Sequence, residues 1–160
     1  MHNSIDVAYR MLQLAKGKGL GLSNLQLQKL VYIAHGYLLG WKDKELFTDE
    51  VSAWKYGPVI EPIYRHFKDF KAEKIDLPNL DEIETRLDED AEQVMNGVLD
   101  LYGSEDAISL VNLTHQRNTP WDVVWNEQNG RKCLFATIPN DLIRERYLKV
   151  ISNPTMVSGL

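Results

Sequence analysis

The chain is short of the residues that usually announce chemistry. Among its 160 residues there is one cysteine, Cys133, so no internal disulfide and no cysteine-based zinc site can form. No apolar run approaches the roughly 18 residues that a membrane span needs. The first ten residues mix polar and apolar types, and no secretory signal is expected. The four histidines, His2, His35, His66 and His115, include no His-x-x-x-His pair. No Walker loop, dinucleotide-binding fingerprint or serine elbow occurs, and Gly17 to Gly21 lacks the Gly-Lys-Ser/Thr ending of a phosphate loop. No metal, cofactor or catalytic residue is therefore assigned, and a non-enzyme is expected. His115, just ahead of the Thr119-Pro-Trp121 turn, is the one histidine with a general-base alternative, in an uncharacterised hydrolase. A capping or core histidine is the simpler reading.

A basic stripe is also missing. The net charge is −5, and 76–106 carries eleven acids against one base, Arg86, while the rest of the chain is net positive. Direct nucleic-acid binding is not expected. The simplest reading of the acids is a solvated helix face. What is present is ordinary for a globular domain: 44% apolar and 26% charged residues, expected to form a single domain over 1–153 with a flexible tail at 154–160. The lone cysteine and the lack of a membrane span point to a cytoplasmic setting.

The periodicity is mainly helical. Ser4 is expected to cap a first helix to about Lys16, with Ile5, Ala8, Met11, Leu12 and Ala15 inward. Ser23-Asn-Leu-Gln26 reads as a capping box opening a helix to about Trp41. That helix is apolar on two sides, which places it at the centre of its domain. Gly36 inside it costs about 1 kcal/mol of helix propensity, a cost that close approach of a neighbouring element would offset. Leu46-Phe47 and Glu50 to Trp54 suggest a small hairpin or an extended arm. Tyr56-Gly-Pro-Val59 is a sharp break, and a helix follows over Pro62–Phe70 with Ile63, Tyr64, Phe67 and Phe70 buried.

After a loop to Leu80, a helix over Asp88–Tyr102 should face Ala91, Val94, Met95, Val98, Leu101 and Tyr102 inward, with acids crowding its start. Ser104 is expected to cap a further helix with Ala107, Ile108 and Val111 buried, joined by Leu110 and Leu113. Thr119-Pro-Trp-Asp122 is another start signal. A third extended segment is expected at Cys133–Ala136, and a last helix from Pro139 or Asn140. The fold class is thus mainly α, a compact bundle of five to seven helices with a small β-hairpin or extended arm.

Three segments carry a family resemblance: Leu25-Gln-Leu-Gln-Lys-Leu-Val-Tyr-Ile-Ala-His-Gly36; Leu46-Phe47 through Ala53-Trp-Lys-Tyr-Gly-Pro-Val59 with Tyr64; and Leu110-x-x-Leu-Thr-His115 with Pro120-Trp121. Their order and spacing over about Asp6 to Trp125 resemble the Panacea, or SocA-like, antitoxin domain, also called the phage-associated GepA-type family. The resemblance implies a mostly helical module of bacteria, prophages and phages that binds a toxin. It also implies adaptor-type delivery of that toxin to a AAA+ protease. The partner-binding set it marks is Lys55, Tyr56, Gly57, Pro58, Tyr64, His115 and Trp121. The same residues could instead define the fold: Gly57 permits a special backbone conformation, Pro58 rigidifies the exit, and Tyr64 and Trp121 can pin separate elements together. Trp54 is expected to be a core residue, whose truncation costs about 3–5 kcal/mol, with its exposed neighbour Lys55 the better contact. A competing reading makes the chain a phage inhibitor of a host nucleic-acid-binding or defence protein. In that reading an acidic surface, Glu84, Asp88, Glu89 and Glu92, mimics a phosphate backbone.

Overall fold

The structure is a computed structural model and describes residues 2–134, 136–153, 155, 159 and 160. Among these are seven α-helices and a small antiparallel sheet. Their order is α1 (Ser4–Gly17), α2 (Asn24–Lys42), β1 (Val51–Trp54), β2 (Gly57–Val59), α3 (Glu61–Phe67), α4 (Glu89–Tyr102), α5 (Ala107–Thr114), α6 (Pro120–Asp122), β3 (Thr137–Ile138) and α7 (Asn140–Ser152). The mainly α architecture with a small hairpin is the one the periodicity implies.

Helix α2 is the axis, touching α1, α3, α4, α5, α7 and β2. It starts where the sequence says it should. Ser23 Oγ accepts the Gln26 N–H at 3.3 Å, and Gln26 Oε1 accepts the Ser23 N–H at 2.9 Å, so both halves of the capping box form. It stops at Asp43, which adopts the left-handed conformation. Leu27, Leu30, Val31, Ile33, Ala34 and Leu38 are all essentially inaccessible. Each contributes on the order of 1.5–3 kcal/mol relative to exposure, Ala34 less. The expected reason for Gly36 is found on α7: a Cβ at Gly36 would lie 2.3 Å from Tyr147 Cε2, and one at Gly40 3.0 Å from the Tyr147 carbonyl carbon. Two missing side chains one turn apart let α7 lie directly on α2.

His35 is a satisfied core histidine. Its Nδ1 accepts the Leu46 N–H at 3.2 Å, which leaves Nε2–H to donate to Asn140 Oδ1 at 3.0 Å, and its ring stacks on Phe47. Burial pushes its pKa down to about 4, so it is neutral.

Several boundaries and faces depart from the sequence reading. Asn3, not Ser4, caps α1, and Val7 replaces Ile5 among its buried residues. Asp106, not Ser104, caps α5, whose buried residues are Leu110 and Thr114 while Ile108 is exposed. In α4 the core takes Leu99 and leaves Leu101 exposed in an apolar groove with Trp41 and Ile151. Leu99 and Leu101 flank the same apolar stripe, and the position of α2 decides between them. Helix α3 ends at Phe67 in a 3₁₀ turn, and so short a helix buries only Ile63 and Phe67, leaving Tyr64 exposed. The third strand is Thr137–Ile138 rather than Cys133–Ala136, and it pairs with β1 on the side away from β2. Phe135 lies outside the described residues, as do Pro154 and 156–158, most of the expected tail. Leu160 is buried, and its N–H donates to Leu113 O at 2.7 Å.

Candidate functional site

The β1–β2 hairpin carries the Ala53–Val59 signature. Trp54 pairs with Gly57 and Ala53 with Pro58, so Lys55 and Tyr56 form a two-residue loop at the tip. Such tight loops favour a residue with positive φ, which Gly57 supplies at +111°. Pro58 is tolerated because β2 is an edge strand, and Ala53 opposite it donates its N–H to Ala136 O instead.

Three buried polar side chains of α2 grip the backbone of this segment. Lys29 Nζ donates to Pro58 O at 2.8 Å. Gln28 Oε1 accepts the Ile60 N–H at 2.9 Å, and its Nε2 donates to Asn24 Oδ1 at 3.2 Å. Asn24 Nδ2 in turn donates to Tyr64 O at 3.1 Å. Side chains of α2 thus satisfy backbone groups of Pro58, Ile60 and Tyr64. Lys29 is fully buried, and burial lowers its pKa from 10.5 to about 7. A Cβ at Gly57 would stand 3.1 Å from its Nζ, so the glycine both frees the turn and makes room for the lysine.

The other side is held by α6. Thr119 caps that short helix, Pro120 occupies its first position, and Trp121 Nε1 donates to Trp54 O at 2.6 Å. Trp121 is buried and stacks on His115 at 4.0 Å and on Trp125 at 5.8 Å. Of the expected partner-binding set, Gly57, Pro58 and Trp121 are therefore inside the molecule, and His115 is half-buried against the Trp121 ring. Lys55, Tyr56 and Tyr64 reach solvent, Tyr56 being 63% and Tyr64 40% exposed. Trp54 departs from its expected place. Strand β1 turns Val51 and Ala53 inward, leaving Trp54 half-buried on the outer face, edge-on to Tyr64 at 5.0 Å.

Trp54, Tyr56 and Tyr64 wall a groove of about 420 Å³ between the hairpin, α2 and the turn after α3. Gln28, Lys29 and Val59 also line it, together with Leu25, Lys68 and Lys71. No Asp or Glu does. Leu25 and Lys29 lie in the first motif segment, but neither they nor Lys68 and Lys71 were in the expected partner-binding set. A lysine inside an amphipathic helix reads as solvent-facing, and only the path of residues 58–64 reveals otherwise. Among the described residues no three His, Cys, Asp or Glu side chains converge as a metal site, and no helix is long and apolar enough to cross a membrane.

The acidic segment is arranged differently. Asp88 caps α4, and the Ala91 N–H, helped by His2 and Lys44, holds its carboxyl below the usual carboxylate range. Glu92 pairs with Arg10 at 2.7 Å, Asp81 with Lys16 at 2.8 Å, Asp90 with Lys44 at 3.0 Å and Asp100 with Lys18 at 2.9 Å. Glu84 and Glu89 are exposed and enter no ion pair among the described residues. Of the four acids expected to form a mimicking surface, two are thus tied to neighbouring elements.

The family model for the antitoxin SocA-like, Panacea domain matches residues 27–122, a stretch that runs from the clamp on α2 through the hairpin to Trp121 and Asp122. The chain belongs to this family. Antitoxin SocA of Caulobacter vibrioides (strain NA1000 / CB15N) is 33% identical over 150 residues, covering 88% of this chain and 80% of that protein. No solved structure matches the chain. In this Panacea domain the matched segment contains Gln28 and Lys29 of the buried polar clamp and most of the groove that it shapes, with Asn24 and Leu25 just outside and Lys68 and Lys71 within.

Proposed function

We propose that the chain is a non-catalytic antitoxin that neutralises a cognate toxin by direct protein–protein contact through the hairpin tip and its groove, in the cytoplasm. Membership of an antitoxin family carries this reading. The groove supports it. Exposed aromatic side chains on a rigid, clamped turn have the character of interface hot spots, and Tyr56 and Tyr64 are exposed on such a turn. Adaptor-type delivery of the toxin to a AAA+ protease is the second part of the proposal.

The test is genetic first. A neighbouring reading frame that arrests growth when expressed alone should be tolerated when this chain is co-expressed. Persistent arrest, with both proteins present and soluble, would refute neutralisation. The delivery step is read separately as toxin half-life with and without the chain in a strain carrying its AAA+ proteases. An unchanged half-life alongside full rescue would leave occlusion as the whole mechanism. The acidic-mimic reading gains nothing from the arrangement of its four residues, since Asp88 and Glu92 are occupied in holding α4 to its neighbours.

A further inference from the structure

Two groups stand out among the lysines of this protein. Lys16, Lys18, Lys42 and Lys44 pair with the acids of 81–100. Lys55, Lys68 and Lys71, all exposed, line the hairpin groove and form no ion pair among the described residues. Beneath them Lys29 is buried and donates to Pro58 O, and among the described residues no carboxylate lines the groove to offset these charges. Apolar surface lies alongside: Leu25 is 38% exposed, and Trp54 and Tyr64 form an edge-to-face wall.

We propose that this groove receives a short acidic segment of the toxin, with its carboxylates on the Lys55, Lys68 and Lys71 ammonium groups and one apolar side chain against Trp54, Tyr64 and Leu25. The proposal rests on the antitoxin reading and adds the chemistry of the partner to it. Charge complementarity selects the occupant: a cationic groove on a chain of net charge −5 favours a local anionic element over a long polyanion. An extended nucleic acid needs a continuous basic track, whereas the groove occupies only about 420 Å³, the size of an ordinary small-ligand cleft.

The probes are two blocked tetrapeptides, acetyl-Asp-Leu-Glu-Trp-amide and its uncharged counterpart acetyl-Asn-Leu-Gln-Trp-amide, with hexathymidylate as the nucleic-acid alternative. Binding is read by NMR on the parent protein at low salt, from the indole signal assigned to Trp54 with the Trp54→Phe variant. The acidic peptide is expected to shift that signal and to bind about five-fold or more tighter than the amide peptide. The double variant Lys68→Glu/Lys71→Glu changes two exposed, unpaired residues and should melt like the parent. It is expected to weaken the acidic peptide about ten-fold. Equal affinity for the two peptides, an unmoved Trp54 signal, tighter binding of hexathymidylate, or binding that survives charge reversal would each overturn the proposal. The rescue assay separates the two levels. If the parent neutralises its toxin and the double variant neutralises equally well, the groove is wrong and the antitoxin reading stands. If the parent fails to neutralise, the antitoxin reading is wrong and the peptide titration alone decides the chemistry of the groove.

Discussion

Replacing Gly36 by alanine puts two effects of opposite sign on one methyl group. Alanine is the better helix former by about 1 kcal/mol, so an unobstructed Gly36→Ala would stabilise α2. The site is obstructed. The new Cβ would lie 2.3 Å from Tyr147 Cε2 and 2.4 Å from Cζ, against the roughly 3.5–4.0 Å at which carbon atoms rest. The ring would have to retreat by more than about 1 Å. It has nowhere to go: Tyr147 is fully buried and packs edge-on to Tyr32 at 6.2 Å and to Tyr37 at 5.1 Å. Overpacking of a filled core costs about 1–3 kcal/mol, and the depth of this overlap places it at the upper end. The net expectation is a loss of about 2 kcal/mol, or a melting point lower by about 4–8 °C for a chain of this size. Thermal and urea unfolding of parent and variant measure it. The double variant with Tyr147→Leu isolates the cause, because the two changes should then be non-additive by about 1 kcal/mol or more in the favourable direction. A Gly36→Ala protein that melts at or above the parent would refute the contact between α2 and α7 as the reason for the glycine.

Trp54→Ala removes a half-buried ring while its retained carbonyl can still accept from Trp121, so its stability cost should be about 1–2 kcal/mol rather than the 3–5 of a core tryptophan. Toxin affinity should fall by about 2 kcal/mol or more in a titration on the same sample. Trp121→Phe deletes the 2.6 Å bond to Trp54 O and should cost about 2 kcal/mol in urea unfolding, with the Trp54 indole environment changed in parallel. Lys29→Met tests the buried cation. With a folded pKa near 7 against 10.5, the unfolded chain binds more protons between those values. The Lys29 contribution to stability therefore rises with pH across that window and is flat below it. Unfolding free energies of parent and variant at pH 7 and pH 9 should differ by a gap that moves in favour of the parent by about 1 kcal/mol per pH unit. A gap independent of pH would show that Lys29 is not desolvated.

How much of this was legible in the sequence depends on where each residue finds its partners. The start of α2 was readable because the capping box is closed by residues three apart. The central place of α2 followed from its two apolar sides, and the close approach at Gly36 from the cost of a glycine there. The sheet was readable as a hairpin plus a third extended segment, but that segment was expected at Cys133–Ala136 and its pairing was not legible, because β3 is a two-residue strand brought to β1 from more than eighty residues away. Tyr64 and Leu101 were misplaced because each borders an apolar stripe, and periodicity alone does not fix which border a neighbour covers. The acidic run read as one solvated face, yet five of its carboxylates meet bases from α1 and from the residues just past the ends of α1 and α2. Those bases are distant in sequence, so the pairing left no local signal.

The signature Ala53–Val59 separates into two jobs that its residue types alone could not distinguish. Gly57 and Pro58 are buried because the backbone at that point is a ligand for α2: the Pro58 carbonyl takes the Lys29 ammonium, and the Gly57 backbone leaves it room. Trp121 closes the other side through the Trp54 carbonyl. These contacts fix the main chain from both flanks, so the ordering cost of the turn is met on folding and not on binding. The side chains left over, Trp54, Lys55 and Tyr56, then project from a rigid frame beside Tyr64. Substitutions in the clamp should therefore lower stability and binding together, whereas those at the two tip residues, Lys55 and Tyr56, should lower binding alone. Thermal melts paired with toxin titrations on Gly57→Ala and Lys55→Glu distinguish the two classes, and a Gly57→Ala protein that keeps its melting point while losing its partner would collapse the distinction.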